Sequence, residues 1–118
     1  MLQITTREIA EITGGSLVGG ATGDETVTGT ARIDSREAAP GDLFAAFPGE
    51  HVDGHDYLEA ARTAGAAAAL VTEDRGVPAV QVADVRTALS DLARAQLERA
   101  RTEWLRARGV GQRELGDR

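Results

Sequence analysis

Residues 34–57 read DSREAAPGDLFAAFPGEHVDGHDY, and this stretch decides how the chain folds. Its apolar run at 43–47 has the length of a buried strand, and the turn-forming pair Pro40-Gly41 precedes it. A loop with two glycines follows at 48–54 and leads into residues 55–64, whose apolar spacing predicts a helix. The stretch is therefore a strand, a polar loop and a helix, in the order that α/β proteins repeat.

The N-terminal side predicts one helix and two strands. Thr5 and Glu8 have the spacing of a capping box, and Gly14-Gly15 is a typical helix end. Short strands are predicted at 16–18 and 26–33, with a polar turn between them. Asp24, Glu25 and Asp42 are interpreted as turn and surface charges.

The C-terminal side adds two strands and a long helix. The strands are predicted at 66–71 and 78–82, and Asp84 is a good N-cap for a helix that runs to about residue 108. The apolar stripe of this helix is predicted to comprise Val85, Leu89, Leu92, Leu97, Ala100 and Trp104. Beyond Gly109 the sequence has no periodicity, which favours a disordered tail.

These elements predict an α/β fold: one small domain with a mixed sheet of about five strands and helices packed on it. At 118 residues the chain has the size of one domain. We expect that domain to comprise residues 1–98. We expect residues 99–118 to form an arginine-rich helical extension and a disordered tail.

Composition and charge argue against several classes of protein. Residues 1–98 carry 7 Arg and 16 acidic residues, so this body does not favour nucleic acid as a partner, although residues 99–118 carry 6 Arg and 3 acids. Cysteine is absent, which excludes disulfides and thiolate zinc sites. No run approaches the roughly 20 apolar residues of a membrane span, and the N-terminus does not resemble a signal peptide. We therefore expect a cytoplasmic protein with no membrane partner.

Asp34, Ser35 and Arg36 are the first candidate binding residues. They follow a predicted strand, where loops that contact ligands lie in open α/β sheets. Arginine can bind phosphate through two parallel hydrogen bonds, and Asp34 can orient it or accept from a ribose or a base. The alternative is an Asp–Arg ion pair that braces a turn, with Ser35 at the start of a 3₁₀ helix.

The loop 49–55 supplies the second set of candidates: Gly49, Glu50, His51, Val52, Asp53, Gly54 and His55. Its glycines allow backbone N–H groups to approach an anion, and a helix start favours negative charge. The alternative is an ordinary strand-to-helix connection in which Asp53 caps the helix. Without cysteine or an HExxH pattern, we do not predict a metal site at His51 and His55.

The sequence contains no recognisable catalytic apparatus. It has no lysine, and neither GGSLVGG nor GVGQREL has the Lys-Ser/Thr that a phosphate loop needs. It also lacks the Ser–His–acid order of a nucleophile elbow. We therefore predict no catalytic residues.

The chain resembles the Mur ligases, a family of peptidoglycan-synthesis enzymes, from about residue 4 to residue 95. TTREIAEITGG, then DSR, PGDLF, PGE, DGHDY and AGA, then VPAVQVADVRTALSDLARA follow the order of that family's N-terminal domain. Within the family the pattern is closest to the ligases that add D-alanyl-D-alanine (MurF). The ligases that add the third peptide residue share DSR and GDLF.

This resemblance implies a function. The N-terminal domain of these ligases holds the UDP end of a UDP-N-acetylmuramoyl-peptide, and residues 34–36 and 49–55 match the segments that do so. ATP and Mg²⁺ act in the family's central domain, and no cofactor is expected in this chain. After Leu97 the family continues into a strand and a lysine-containing phosphate loop, whereas this chain stays charged and helical. The resemblance therefore implies a binding domain, with a separate ligase half as a possible partner. The alternative is a stand-alone accessory protein, for which Trp104 is the candidate anchor of a homo-oligomer or partner contact.

Overall fold

The computed structural model describes residues 3–109, which contain a five-stranded mixed sheet. Its strands lie in the order β2-β7-β6-β5-β4, and only β2 is antiparallel to its neighbour. Two further strands, β1 and β3, pair with each other in a separate antiparallel sheet. The strand bounds are β1 Ile4–Thr5, β2 Ser16–Val18, β3 Thr26–Val27, β4 Ala31–Arg32, β5 Leu43–Ala45, β6 Ala68–Val71 and β7 Ala79–Gln81.

Three α-helices accompany the sheet: α1 (Thr6–Thr13), α2 (Leu58–Thr63) and α3 (Val85–Ala107). The predicted capping box is present, because Thr5 Oγ1 accepts from the Glu8 N–H and the Glu8 carboxylate accepts from the Thr5 N–H. Asp84 caps α3 as predicted. The helix predicted at 55–64 begins instead as a 3₁₀ turn, Gly54–Tyr57, before α2. Among the described residues, no helix is long and apolar enough to span a membrane.

The core lies on both faces of the sheet, which confirms the predicted α/β class. Leu43 and Ala45 point to the face that α1 and α3 cover, whereas Phe44 points to the face that α2 covers. This alternation follows from the two-residue period of a strand. Because β5 and β6 are buried on both faces, their sequences are continuously apolar rather than alternating.

The prediction of a single strand at 26–33 is wrong. The chain leaves the small sheet after Val27 and enters the main sheet at Ala31. Between them, the N–H groups of Thr28 and Gly29 both donate to the carbonyl of Gly41. A Cβ on Gly29 would overlap the Asp42 carboxylate. The chain at Thr28 and Gly29 thus turns close against Gly41 and Asp42, and this turn divides the predicted strand in two.

The interpretation of Asp42 as a surface charge is also wrong. Asp42 is 3% exposed, and its carboxylate accepts from the N–H of Thr30 at 2.8 Å, the N–H of Ala39 at 3.0 Å and Nε of Arg32 at 3.3 Å. Burial alone raises the pKa of Asp42, but these bonds to its ionised form outweigh burial and lower it. Asp42 therefore joins the start of β4 to the turn before β5.

The predicted apolar stripe of α3 is correct only in its first half. Val85 and Leu92 are buried, whereas Leu97 is 71% exposed and Trp104 is 58% exposed. The Arg108 guanidinium lies over the Trp104 ring, 4.9 Å from its centroid. The helix extends past the body of the domain, so its regular spacing continues where no core remains to cover it. The tail predicted beyond Gly109 lies outside the described residues.

Replacing Asp42 with Ala should lower the free energy of unfolding by roughly 3 kcal/mol, since two backbone N–H groups and Arg32 lose a buried acceptor. Urea unfolding followed by circular dichroism measures the change. Asp24→Ala is the matched control, because it removes an aspartate whose ion pair with Arg7 is exposed. The control should change the free energy by less than about 0.5 kcal/mol. Equal effects of the two substitutions would contradict the structural role of Asp42.

Candidate functional site

The parallel arrangement of β4, β5, β6 and β7 brings three loops to one edge of the sheet. Carboxyl ends of parallel strands meet at the same edge, and ligands of open α/β sheets bind there. Asp34–Arg36 follows β4, residues 46–57 follow β5, and residues 72–75 follow β6. The sheet thus places both predicted binding segments side by side.

An open groove of about 460 Å³ lies between the first two loops. This volume is in the range of small-molecule sites. The groove is lined by Ile33, Asp34, Ser35, Arg36, Phe47, Val52, Gly54 and Tyr57. Five of these eight are predicted site residues, and they come from both predicted segments.

Asp34 and Arg36 form an ion pair at the groove. The Arg36 Nη2 lies 2.7 Å from Asp34 Oδ2, and Arg36 Nε donates to Asp34 Oδ1 at 3.0 Å. Asp34 also caps the 3₁₀ helix Ser35–Glu37 by accepting from the Arg36 N–H. Hydrogen bonds from the Arg36 side chain and backbone lower the pKa of Asp34 to about 2. The turn-bracing alternative is therefore present in the structure.

The ion pair nevertheless leaves Arg36 able to bind a ligand. Its side chain is 88% exposed, and Asp34 occupies the Nε side of the guanidinium. A guanidinium has five N–H groups in a planar fork, so the Nη1 side remains directed away from Asp34. Asp34 thus orients a cation at the groove without using all of its donors.

The remaining walls of the groove are apolar, and the sequence analysis did not identify them. Ile33 is 63% exposed, Tyr57 is 45% exposed, and Phe47 is half-buried. The Arg86 guanidinium lies over the Phe47 ring at 5.9 Å from its centroid. Their positions gave a usable signal: Ile33 and Phe47 end the predicted strands that precede the two candidate loops.

The loop after β5 closes on itself at Gly54. The Gly54 N–H donates to the Phe47 carbonyl at 2.8 Å, and a Cβ on Gly54 would lie 2.7 Å from the Phe47 nitrogen. Only glycine allows this approach, which turns Val52 and Gly54 toward the groove. Gly49, Glu50 and His51 are exposed in the same loop but do not line the groove.

Asp53 and His55 are not among the residues that line the groove. The His55 side chain is fully buried, and its Nδ1 lies 2.7 Å from Asp53 Oδ1. The Thr72 N–H donates to His55 Nε2 at 3.0 Å. Asp53 also accepts from the His55 N–H, so the predicted cap is present. Hydrogen bonds from the backbone and ring of His55 lower the pKa of Asp53.

Asp53, His55 and Glu73 come within 4.8 Å of one another, as metal ligands do, but their bonds do not suit a metal. The lone pair of His55 Nε2, which a metal would need, already accepts from the Thr72 N–H. The other ring nitrogen, Nδ1, faces Asp53. The Arg75 guanidinium lies 3.0 Å from Glu73 and 4.0 Å from Asp53. An arginine occupies the position that a cation needs, so this cluster is a network of ion pairs.

The groove has the chemical groups to bind a ligand. It combines one oriented cation, a hydroxyl from Ser35 and aromatic surface from Phe47 and Tyr57. Such a set can hold a ligand that has both an anionic group and a flat or apolar part. None of the eight lining residues forms a nucleophile–base pair.

Comparison with known proteins identifies the family. The model of the Mur ligase family, catalytic domain, matches residues 30–97. The UDP-N-acetylmuramoyl-tripeptide–D-alanyl-D-alanine ligase of Mycobacterium tuberculosis (strain ATCC 25618 / H37Rv) is 44% identical over 88 residues, covering 72% of this chain and 17% of the ligase. The ligase with the same name from Escherichia coli (strain K12) is 36% identical over 95 residues, covering 79% of this chain and 20% of its own length.

A solved structure extends the similarity to the fold. A crystal structure of MurF from Acinetobacter baumannii matches with a TM-score of 0.66 and 28% identity, covering 78% of this chain and 20% of that protein. The chain therefore spans about a fifth of the length of the relatives it matches. The family match includes both segments that form the groove. The chain belongs to the Mur ligase family and has the fold of a MurF-like N-terminal domain.

Proposed function

We propose that this chain binds the UDP end of a UDP-N-acetylmuramoyl-peptide, as the N-terminal domain of a MurF-type ligase of peptidoglycan synthesis. One observation carries the proposal: residues 34–36 and the loop that ends at Gly54 line a single groove. Both segments lie within the part of the chain that matches the family. The relatives at 44% and 36% identity have names that include a UDP-N-acetylmuramoyl-tripeptide.

The chemistry of the groove supports a nucleotide ligand. The guanidinium of Arg36 can donate two parallel hydrogen bonds to a phosphate while Asp34 holds its other side. Phe47 and Tyr57 offer aromatic faces for a base, which stacks on such rings. The Ser35 hydroxyl can donate to a phosphate or accept from a ribose.

Arg36→Ala should weaken UDP binding by roughly 1.5–3 kcal/mol, because a charge-assisted hydrogen bond to phosphate is lost. Titration calorimetry measures the affinity, and amide chemical shifts of Ser35, Arg36 and Gly54 locate the ligand. Arg94→Ala is the matched control, since Arg94 is an exposed arginine on α3 outside the groove. We expect the control to bind as the unchanged protein does.

Two outcomes would contradict this assignment. If UDP at millimolar concentration moves none of the groove amides in the unchanged protein, the groove is not a UDP site. If Arg36→Ala binds UDP as tightly as the unchanged protein, the ion pair with Asp34 only braces the turn.

The second part of the proposal is that peptide-bond formation requires parts that this chain does not contain. Transfer of the ATP γ-phosphate depends on cations placed at the β- and γ-phosphates. The chain has no lysine and no glycine-rich loop that ends in Lys-Ser/Thr. ATP and Mg²⁺ therefore belong to other parts of a complete ligase.

The isolated chain should accordingly release no phosphate from ATP. The assay contains the protein, Mg²⁺, ATP, the UDP-muramoyl-tripeptide and D-alanyl-D-alanine, and phosphate release is compared with a buffer control. A complete MurF ligase serves as the positive control for the reagents. Steady turnover that Arg36→Ala abolishes would identify the chain as a small enzyme.

A second candidate function is an accessory protein that docks through the end of α3. The helix continues ten residues past the family match, which ends at residue 97, and it exposes Leu97 and Trp104. These two side chains are seven residues apart and so lie on one side of the helix. Exposed tryptophan is a common anchor of protein contacts.

Trp104→Ala tests this candidate by sedimentation velocity. If α3 mediates self-association, the unchanged protein sediments as an oligomer and Trp104→Ala as a monomer. Glu98→Ala, on a different side of the helix, is the control and should keep the oligomer. A monomer in all three samples would remove homo-oligomerisation as the use of this surface.

A further inference from the structure

His55 is a buried residue beside the groove-lining Gly54, and its ring bonds to the segment that follows a second strand of the sheet. Its ring accepts from the Thr72 N–H at 3.0 Å, and Thr72 follows directly after β6. Because Nε2 accepts this bond, the ring proton lies on Nδ1 and is donated to Asp53 Oδ1 at 2.7 Å. One tautomer therefore satisfies both ring nitrogens.

The two bonds of the His55 ring join residues at different separations along the chain. The bond to Asp53 spans two residues, and Asp53 is already held by the His55 N–H at 2.9 Å. The bond to Thr72 spans 17 residues and joins the loop after β5 to the end of β6. The Thr72 bond therefore holds the loop against the end of β6 through a buried ring, whereas the ion pairs of Arg75 with Asp53 and Asp56 join the same two segments through partly exposed side chains.

The loop that His55 fixes carries one side of the groove. Val52, Gly54 and Tyr57, which we name the groove wall, lie within three residues of His55 in the chain. The His55 ring itself is fully buried and is not among the lining residues. Its influence on a ligand must therefore act through the position of the groove wall.

We propose that His55 is the positioning residue of the groove: its bond to the Thr72 N–H sets the groove wall, so ligand affinity depends on a ring that the ligand does not touch. This inference rests on the proposed UDP site. Its first consequence, the placement of the groove wall in the ligand-free protein, is measurable without any ligand.

Two substitutions separate the two ring bonds. The amide of glutamine extends as far as Nε2, so His55→Gln can accept from the Thr72 N–H and loses the bond to Asp53. The amide of asparagine extends only as far as Nδ1, so His55→Asn can reach Asp53 and loses Thr72. The proposal requires that His55→Gln retain the groove and that His55→Asn disturb it.

Thr6→Val is the matched control for the loss of a buried hydrogen bond. Thr6 is fully buried at the start of α1, and its hydroxyl donates to Glu25 at 2.7 Å. This substitution keeps the shape of the side chain and removes one bond outside the groove. It should lower the melting temperature without changing UDP affinity.

The experiment first compares amide chemical shifts and hydrogen exchange of Gly54, Tyr57 and Thr72 in the ligand-free proteins. Both variants remove the ring current of the imidazole and so change nearby shifts, which makes hydrogen exchange the deciding measurement. We expect His55→Asn to speed exchange at all three amides, and His55→Gln to leave the exchange rates nearly unchanged. UDP titration then follows: His55→Asn should bind about tenfold more weakly, which is the loss of about one hydrogen bond, and His55→Gln within about twofold. The ¹⁵N shifts of the unchanged ring should place its proton on Nδ1.

Each contrary result overturns the inference in a distinct way. Unchanged exchange rates of the groove amides in folded His55→Asn, equal UDP affinity of the two variants, or equal weakening by Thr6→Val would show that His55 does not position the groove. A ring proton on Nε2 would remove the Thr72 bond on which the inference rests. If His55→Asn does not fold, a tenfold loss of affinity in folded His55→Gln is sufficient to overturn it. If the unchanged protein does not bind UDP, the proposed function fails, and the ligand-free comparison still decides the role of His55.

Discussion

The buried carboxylate of Asp42 is the constraint on which the site depends. By accepting from Thr30, Ala39 and Arg32, it holds the turn before β4 against the turn before β5. A buried carboxylate is costly unless its hydrogen bonds are made, so these two turns cannot separate without a large loss of stability. The loop with Arg36 leaves the end of β4, and the loop with Gly54 leaves the end of β5. The turns at the amino ends of β4 and β5 therefore set the distance between the two loops that leave the carboxyl ends of these strands and line the groove.

The fold was predictable from the sequence where structure is decided within a few residues. Thr5 with Glu8, and Asp84 before α3, are local capping patterns that act as their sequences indicate. The incorrect predictions, for the strand at 26–33, for Asp42 and for the second half of α3, have a different cause. The Asp42 carboxylate accepts from the Thr30 N–H, twelve residues away, and a Cβ on Gly29 would overlap the same carboxylate. Nothing in the local sequence shows that Asp42 becomes buried. The regular spacing of Leu97 and Trp104 likewise cannot show where the body of the domain ends.

The candidate site was predictable in its polar part. Asp34, Ser35 and Arg36 follow a strand, and the topology of parallel strands is enough to bring them to the edge where Gly54 lies. The apolar part was predictable only in position: Ile33 and Phe47 end the predicted strands that precede the candidate loops, but Ile33, Phe47 and Tyr57 have the spacing of ordinary core residues. Only the three-dimensional structure distinguishes a side chain that completes the core from one that faces a groove.

Asp34 and Asp53 each bond the side chain two residues later, and the two pairs serve different purposes in this domain. Asp34 bonds the side chain two residues later and leaves that arginine exposed, so the pair contributes little stability and mainly orients a cation. Asp53 bonds the ring two residues later and holds it buried, so that pair supports the loop from within. The two aspartates follow neighbouring strands and cap successive 3₁₀ helices. The cap at Asp34 therefore presents the Arg36 guanidinium to the groove, and the cap at Asp53 supports the groove wall on the other side.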